Sequence, residues 1–356
     1  MKILRLTTLL DFGGQEKKYI SFTEKPELLK HHYVFAAIGF GGNAEALLRK
    51  RGFEVHILNR NFSIRNLSNI WSLYRFIRKV KPDIVHTAAA EANFHGIIAA
   101  KIAGVKIIIG EEIGIPNHSS LAQKIFALVY SWAHKVICVS QSVKDQLVKT
   151  GEIPSHNGEV IYNPVSVPQK HETECPEKFN IVYVGRLEKV KNVESLVRAF
   201  SHLRNDDLQL TIIGDGRERQ NLETLVKEIK LSDNVIFEGF QSDPGKYLST
   251  ADLYVLPSYS EGFGIAAVEA MFLQVPVVAT NVGGVPEFIN DGENGWLFNP
   301  HSVTDLTTKL EQIIALDEET RKQIGKKGLV EVTERFTVEK YIQNLEKLYE
   351  SASEKN

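Results

Sequence analysis

The sequence predicts an α/β protein made of two doubly wound, Rossmann-like domains facing across a cleft. Three observations carry that prediction. Short apolar strands alternate with amphipathic helices, a polar stretch with prolines breaks the alternation near the middle, and the alternation then restarts. A chain of 356 residues, 43% hydrophobic and 24% charged, has room for two ordinary domains and is neither disordered, collagen-like nor a disulfide-stapled miniprotein.

In the first half, strands are expected near Ile3 to Thr7, Val34 to Ile38, Val55 to Leu58, Ile84 to Thr87, Ile107 to Ile109 and Val136 to Val139. Helical periodicity lies between them, over Asn43 to Arg51, Ser68 to Val80 and Ala92 to Ala103, with Gly52 and Gly104 placed as C-caps. Tyr162-Asn163-Pro164-Val165 and the polar stretch Gln169 to Lys178, carrying Pro168 just before it and Pro176 within it, read as the interdomain linker. Beyond it, strands near Ile181 to Val184, Leu210 to Ile213, Val235 to Phe237, Leu253 to Leu256 and Val277 to Ala279 alternate with helices near Val193 to Leu203, Glu218 to Ile229 and Ile265 to Leu273. Three helical stretches close the chain, near Val303 to Ala315, Thr320 to Glu334 and Val338 to Ser351. Parallel sheets of this kind bind ligands at the carboxyl ends of their strands, so the chemistry is expected in the loops that follow strands.

Cys138 and Cys175 are too few for a disulfide framework, and no Cys/His cluster has metal-ligand spacing, which points to a reducing, cytoplasmic setting. No apolar run approaches the roughly 18 to 20 residues that span a bilayer. The apolar start, Met1 to Leu10, is interrupted by Arg5 and runs into Asp11-Phe12-Gly13-Gly14, so it reads as a first strand rather than a signal peptide. Charge is uneven: residues 1–165 hold 21 Lys+Arg against 13 Asp+Glu, and the remainder holds 21 against 31. A basic first half suits an anionic membrane surface or an unevenly solvated domain. Lys17, Lys18, Lys25, Lys30, Arg49, Lys50 and Arg51, with Arg75, Arg78 and Lys79, are the candidates for such a surface. No aromatic interleaving accompanies this charge, so nucleic acid is not an expected partner.

Four segments that follow strands in the second half stand out: Gly185-Arg186-Leu187 through Lys191-Asn192, Gly214-Asp215-Gly216, Ser260-Glu261-Gly262-Phe263-Gly264 and Gly283-Gly284-Val285-Pro286-Glu287. None is a nucleotide-binding P-loop or a dinucleotide fingerprint, which removes the main support for an ATPase or a dehydrogenase. Arg186 and Lys191 in one short loop could neutralise a diphosphate, the arginine as a fork and the lysine as a point charge; a solvated turn is the bland alternative. Gly262 and Gly264 place Glu261 in a loop, start a helix near Phe263 and leave Glu269 in its second turn. The backbone N–H groups of Phe263, Gly264 and Ile265 would then offer a helix N-terminus to a phosphate.

In this order and spacing, these motifs resemble the donor domain of the family-four retaining glycosyltransferases of the GT-B fold. The resemblance extends through Gly13-Gly14, Pro82-Asp83-Ile84-Val85-His86 and Asn163-Pro164, and so covers nearly the whole chain. It implies an acceptor-side domain over residues 1–165, a nucleotide-sugar donor domain over 166–337, and a last helix, 338–351, crossing back onto the first domain. No metal or other cofactor is implied, the nucleotide-sugar being a substrate. Carried over by resemblance, Arg186 and Lys191 grip the donor diphosphate, Glu261 the donor sugar hydroxyls and Glu269 the ribose. Gly14, in the loop after the first strand, lets backbone approach the diphosphate, and the backbone of Glu238-Gly239-Phe240 reads the base.

A nucleoside diphosphate leaves without a general acid, so positive charge is what the site must supply, whereas a glycosidase would need two opposed carboxyl groups. Front-face displacement with retention, with no enzyme nucleophile, is the expected mechanism. On the acceptor side His86 could orient a hydroxyl or simply be packed at a strand end. Gly110-Glu111-Glu112-Ile113-Gly114 carries acids near where many relatives have a histidine, so Glu111 or Glu112 could serve as base or as a holder of acceptor hydroxyls. The expected activity is transfer of a sugar, UDP-linked by preference, to a glycan or lipid-diphosphate-linked acceptor in bacterial surface polysaccharide synthesis. The enzyme is expected in the cytoplasm, peripheral to the inner face of the cell membrane. An epimerase of the same fold and a non-catalytic sugar-nucleotide-binding subunit remain as alternatives.

Overall fold

The structure is a computed structural model that describes residues 1–11, 13–172, 177–203 and 205–354. Phe12, Cys175 and Pro176, named above, lie outside the described residues. The chain divides into two compact units, Met1–Pro164 joined by the terminal stretch from Val338, and Val165–Thr337.

The first unit carries strands β1 (Lys2–Thr7), β2 (His32–Ala37), β3 (Glu54–Ile57), β4 (Ile84–Ala88), β5 (Ile107–Glu112), β6 (Lys135–Cys138) and β7 (Gly158–Val160). They form one parallel sheet in the order β3-β2-β1-β4-β5-β6-β7. Its crossovers are α1 (Gly14–Phe22), α2 (Asn43–Lys50), α3 (Ser68–Val80), α4 (Ala90–Ala103), α5 (Ser120–Tyr130) and α6 (Gln141–Lys149). β1 and β4 are central, covered on both faces, and so read as nearly continuous apolar runs. Arg5 and His86 are the exceptions and are both fully buried.

The second unit carries β8 (Phe179–Val184), β9 (Leu208–Ile213), β10 (Val235–Gly239), β11 (Leu253–Leu256), β12 (Val277–Thr280) and β13 (Trp296–Phe298), ordered β10-β9-β8-β11-β12-β13 and again parallel. Its helices are α7 (Val193–His202), α8 (Arg219–Glu228), the short α9 (Gly245–Leu248), α10 (Ile265–Phe272), α11 (Val303–Ile314) and α12 (Glu318–Arg335). The last helix, α13 (Val338–Glu354), belongs to the first unit. It buries Tyr341, Ile342, Leu345, Leu348 and Tyr349 in that unit's core beside Phe22, Tyr33 and Phe35, each worth roughly 1.5–3 kcal/mol as an upper bound.

Several elements differ from the periodicity reading. α1 begins at Gly14, where a loop was expected; buried Gln15, Glu16, Lys18 and Ser21 beside Tyr19 and Phe22 hide its apolar period. α5 and α6 start where Ser119 and Ser140 accept from the N–H groups of Ala122 and Val143. β7 and β13 have three residues each, too few to show a period. Among the described residues no helix is long and apolar enough to cross a membrane.

Candidate active site

In the second unit the strand order reverses between β8 and β11, a topological switch point where doubly wound sheets take ligands. The four glycine-bearing segments converge on the strand ends around it. The Leu187 N–H donates to the Asp215 carbonyl at 2.9 Å, Gly214 to Gly239 at 2.7 Å, Tyr259 to Val190 at 2.8 Å and Gly284 to Glu261 at 3.2 Å. Two glycines are sterically required. A Cβ at Gly214 (φ +138°) would overlap the Gly185 carbonyl, and one at Gly283 (φ +59°) the Glu261 carbonyl.

Across the switch point, Lys191 Nζ donates to Glu261 Oε2 at 2.7 Å, and Ser258 Oγ donates to the same oxygen at 3.3 Å. The two side chains are 21% and 13% exposed, so the pair is sheltered but reachable. Buried Asn192, which carried no role in the sequence reading, fixes the lysine's turn by donating to the carbonyls of Pro257 (3.0 Å) and Pro300 (3.1 Å). Arg186 is exposed and has no carboxylate within ion-pair distance among the described residues. Its carbonyl accepts from the Tyr183 hydroxyl at 3.0 Å, which holds the loop while leaving the guanidinium unengaged.

α10 starts at Ile265, where the periodicity puts it, and not near Phe263, where the flanking glycines suggested, because Gly264 serves as its N-cap. Of the three N–H groups assigned to that helix end, only that of Ile265 lies in its first turn, and Ala266 supplies the next. Phe263 instead packs its ring against Phe336 (centroids 4.9 Å apart) and Phe288 (5.9 Å). Glu269 is in the second turn of α10 as expected, and half-buried. On β10, Glu238 accepts from the Tyr247 hydroxyl at 3.0 Å, and Phe240 just beyond is exposed.

In the first unit, Gly14 opens α1 rather than lying in a loop. His86 does not end a strand in an open position. It is the third residue of β4, fully buried, with Nδ1 2.6 Å from the Tyr349 hydroxyl and Nε2 3.1 Å from Glu111 Oε2. Glu111 also pairs with Arg5 at 3.2 Å and with Lys18, so it too is closed to an acceptor. Burial, then Arg5 and Lys18, hold His86 well below the usual histidine range, and burial with Arg5 lowers Lys18. This cluster ties β1, α1, β4 and β5 to α13.

Glu112, the last residue of β5, is buried too, but it is hydrogen-bonded and, among the described residues, not ion-paired. It accepts from the Tyr130 hydroxyl and from Asn93 Nδ2 at 3.1 Å, and burial pushes its carboxyl up to about 7. The sequence reading missed its neighbour His118, whose Nδ1 lies 2.8 Å from Glu152 Oε2 and whose ring stacks on Phe126 at 4.4 Å. The Glu152 hydrogen bond raises His118. A lone histidine in the loop after β5 was the available signal; Glu152 comes from beyond α6, 34 residues away.

The expected basic surface is also redistributed. Lys18 is buried, Lys25 pairs with Glu339, Lys30 with Glu350 and Arg49 with Glu45, and Arg51 donates to the Ile20 carbonyl and the Thr23 hydroxyl. Among the described residues, no group of three or more His, Cys, Asp and Glu side chains is placed to hold a metal ion.

Residues 26–168 match the family described as Glycosyltransferase Family 4, and residues 169–330 that described as Glycosyl transferases group 1. An uncharacterised glycosyltransferase of Methanocaldococcus jannaschii is 32% identical over 253 residues, 69% of this chain and 67% of that protein. The chain belongs to glycosyltransferase family 4. This glycosyltransferase is also 26% identical, over 84% of its length and 83% of the other's, to the UDP-Gal:alpha-D-GlcNAc-diphosphoundecaprenol alpha-1,3-galactosyltransferase of Escherichia coli. Its fold matches Anabaena HepE, solved with UDP and glucose, at a TM-score of 0.87 and 23% identity over 99% of this chain and 100% of that one. The glycosyltransferase thus has the GT-B fold, a Rossmann-like sheet in each unit.

Proposed function

We propose that this glycosyltransferase moves a sugar, with retention and without a metal, from a UDP-linked donor to a lipid-diphosphate-linked glycan during surface polysaccharide assembly. The observation that carries the reading is the Lys191–Glu261 pair at the switch point of the second unit, with Arg186 unengaged beside it. An ammonium group has three N–H donors and the pair uses one, which leaves two for donor phosphate oxygens. Glu261 Oε2 is occupied by Lys191 and Ser258, so Oε1 is the oxygen that accepts from sugar hydroxyls. Arg186 adds a bidentate fork, and the first turn of α10 adds N–H groups where charge develops on the leaving diphosphate. Glu269 holds the ribose, and the backbone at Glu238 and Phe240 reads the base.

The departing phosphate oxygen takes the proton of the acceptor hydroxyl as the new glycosidic bond forms on the same face. In the first unit Glu112, with its carboxyl near 7, is the group proposed to hold an acceptor hydroxyl. The E. coli relative acts, by its name, on a diphosphoundecaprenol-linked sugar, which supports a lipid-linked acceptor and an enzyme peripheral to the inner face of the membrane.

Calorimetric titration with UDP, GDP and ADP in EDTA, repeated on Arg186→Ala, tests the donor site. UDP binding that is indifferent to EDTA and weakened roughly 10- to 100-fold in the variant, the worth of one charge-assisted contact, is expected. Failure of all three nucleotides to bind a folded sample overturns the reading. A product whose anomeric configuration is inverted, or a trapped covalent glycosyl-enzyme, overturns the mechanism.

A further inference from the structure

The first unit shows an apolar stripe that no described residue covers. Leu121, Ile125 and Leu128 on α5 are 70%, 41% and 58% exposed. At about 100° per residue they fall within roughly 60° of arc, while Phe126, Val129 and Tyr130 face inward. α5 lies beside α4, where Phe94 meets Phe126 with ring centroids 6.3 Å apart, and α4 packs along α3. On α3, Trp71 is 61% exposed and stacks on Tyr74 at 5.0 Å.

The exposed charge on these three helices, half-buried Glu91 apart, has one sign. Arg75, Arg78 and Lys79 on α3, Lys101 on α4 and Lys124 on α5 are all exposed, and none has a carboxylate within ion-pair distance among the described residues. Glu91 is their only acid, and it accepts from Thr8 Oγ1 at 3.2 Å. Exposed leucine and isoleucine flanked by tryptophan, tyrosine and unpaired cations are the composition of a surface that seats in a lipid headgroup layer.

We propose that α5, with α4 beside it and α3 beyond α4, docks the enzyme on an anionic bilayer. Leu121, Ile125 and Leu128 enter the headgroup–acyl boundary, Trp71 and Tyr74 sit at the interface, and the five cations meet lipid phosphates. The occupant is a membrane rather than a second copy of the chain because a second copy would bring the same five cations against these five. Elsewhere in the unit Lys25, Lys30 and Arg49 are each engaged by an acid of the chain itself, Glu339, Glu350 and Glu45.

The docking face serves the lipid-linked acceptor of the proposed function and rests on that reading, but the two fail separately. Flotation of the full chain with phosphatidylglycerol-containing vesicles, against pure phosphatidylcholine, reads the membrane contact, and UDP titration of the same samples reads the donor site. The expected result is salt-sensitive binding to the anionic vesicles alone. It falls by more than about tenfold in Leu121→Ser/Ile125→Ser/Leu128→Ser and in Arg75→Glu/Arg78→Glu/Lys79→Glu. It persists in Arg49→Glu/Lys50→Glu on α2, with UDP binding unchanged in every variant. Vesicle binding unaffected by the α5 and α3 changes, equal binding to neutral vesicles, or a wild-type dimer that the α5 change dissolves would each overturn the docking face. Loss of UDP binding by the wild type would strike the proposed function instead.

Discussion

Replacing Glu112 by Gln separates what that carboxyl does for stability from what it does for transfer. Burial holds it near 7 against an ordinary value of 4.5. The folded state therefore binds the extra proton between those values, and stability falls as pH rises from about 4.5 to about 7 and is level above that. The full penalty at high pH is roughly 3 kcal/mol, at 1.36 kcal/mol per pKa unit. Gln keeps an oxygen to accept from Tyr130 and Asn93 but loses the charge-assisted part of those bonds, about 1 kcal/mol. Because Gln does not titrate, its stability relative to the wild type is expected to rise by the same roughly 3 kcal/mol between about pH 4.5 and pH 8, which leaves the variant more stable by about 2 kcal/mol near pH 8 and slightly less stable near pH 4.5. Because the chain has two units, the assay is urea-dependent hydrogen exchange read on the β5 peptide rather than a global melt. Sugar transfer is expected to fall while stability rises, the signature of a carboxyl kept for function at a cost in folding. A variant less stable near pH 8, or a gain independent of pH, would refute the argument.

Two further perturbations follow from the same geometry. Gly283→Ala sets a Cβ against the Glu261 carbonyl and must move that residue's backbone; the donor KM is expected to rise by about tenfold or more with the fold retained, and steady-state kinetics at unchanged KM would contradict it. Tyr349→Phe removes a hydroxyl from His86 and from Arg5 Nη1, at 2.6 and 3.3 Å, and should cost about 1–3 kcal/mol, read as faster hydrogen exchange in α13; unchanged protection there would contradict it.

The fold class was legible because β1, β4, β8 and β11 are central strands whose apolar runs need no partner to be recognised. The glycine-bearing loops were legible for a steric reason: Gly214 and Gly283 each sit against a neighbouring carbonyl, so the sequence records the approach of two loops it cannot otherwise display. α5 was not legible, since Leu121, Ile125 and Leu128 on its outer face blur the period that Phe126, Val129 and Tyr130 set on the inner one. His86 was left between orienting an acceptor and being packed at a strand end, because alternation along β4 does not tell which face α13 will cover. His118 and Glu152 are joined only by the fold, and no local spacing announces a pair made across β6 and α6.

Charge shows the same limit most sharply. The first 165 residues hold an excess of eight basic side chains, yet that number does not locate a partner. α13 returns from the acidic half with Glu339, Glu346 and Glu350, and these meet Lys25, His31 and Lys30 on the side of the sheet where α1 packs. Exposed pairs of this kind contribute little to stability, about 0–1 kcal/mol each, but they cancel the field that face would present. α3, α4 and α5 receive no such acid from any described element. Their cations therefore stay open to an anion, whereas the chain's own C-terminal helix engages those of Lys25 and Lys30.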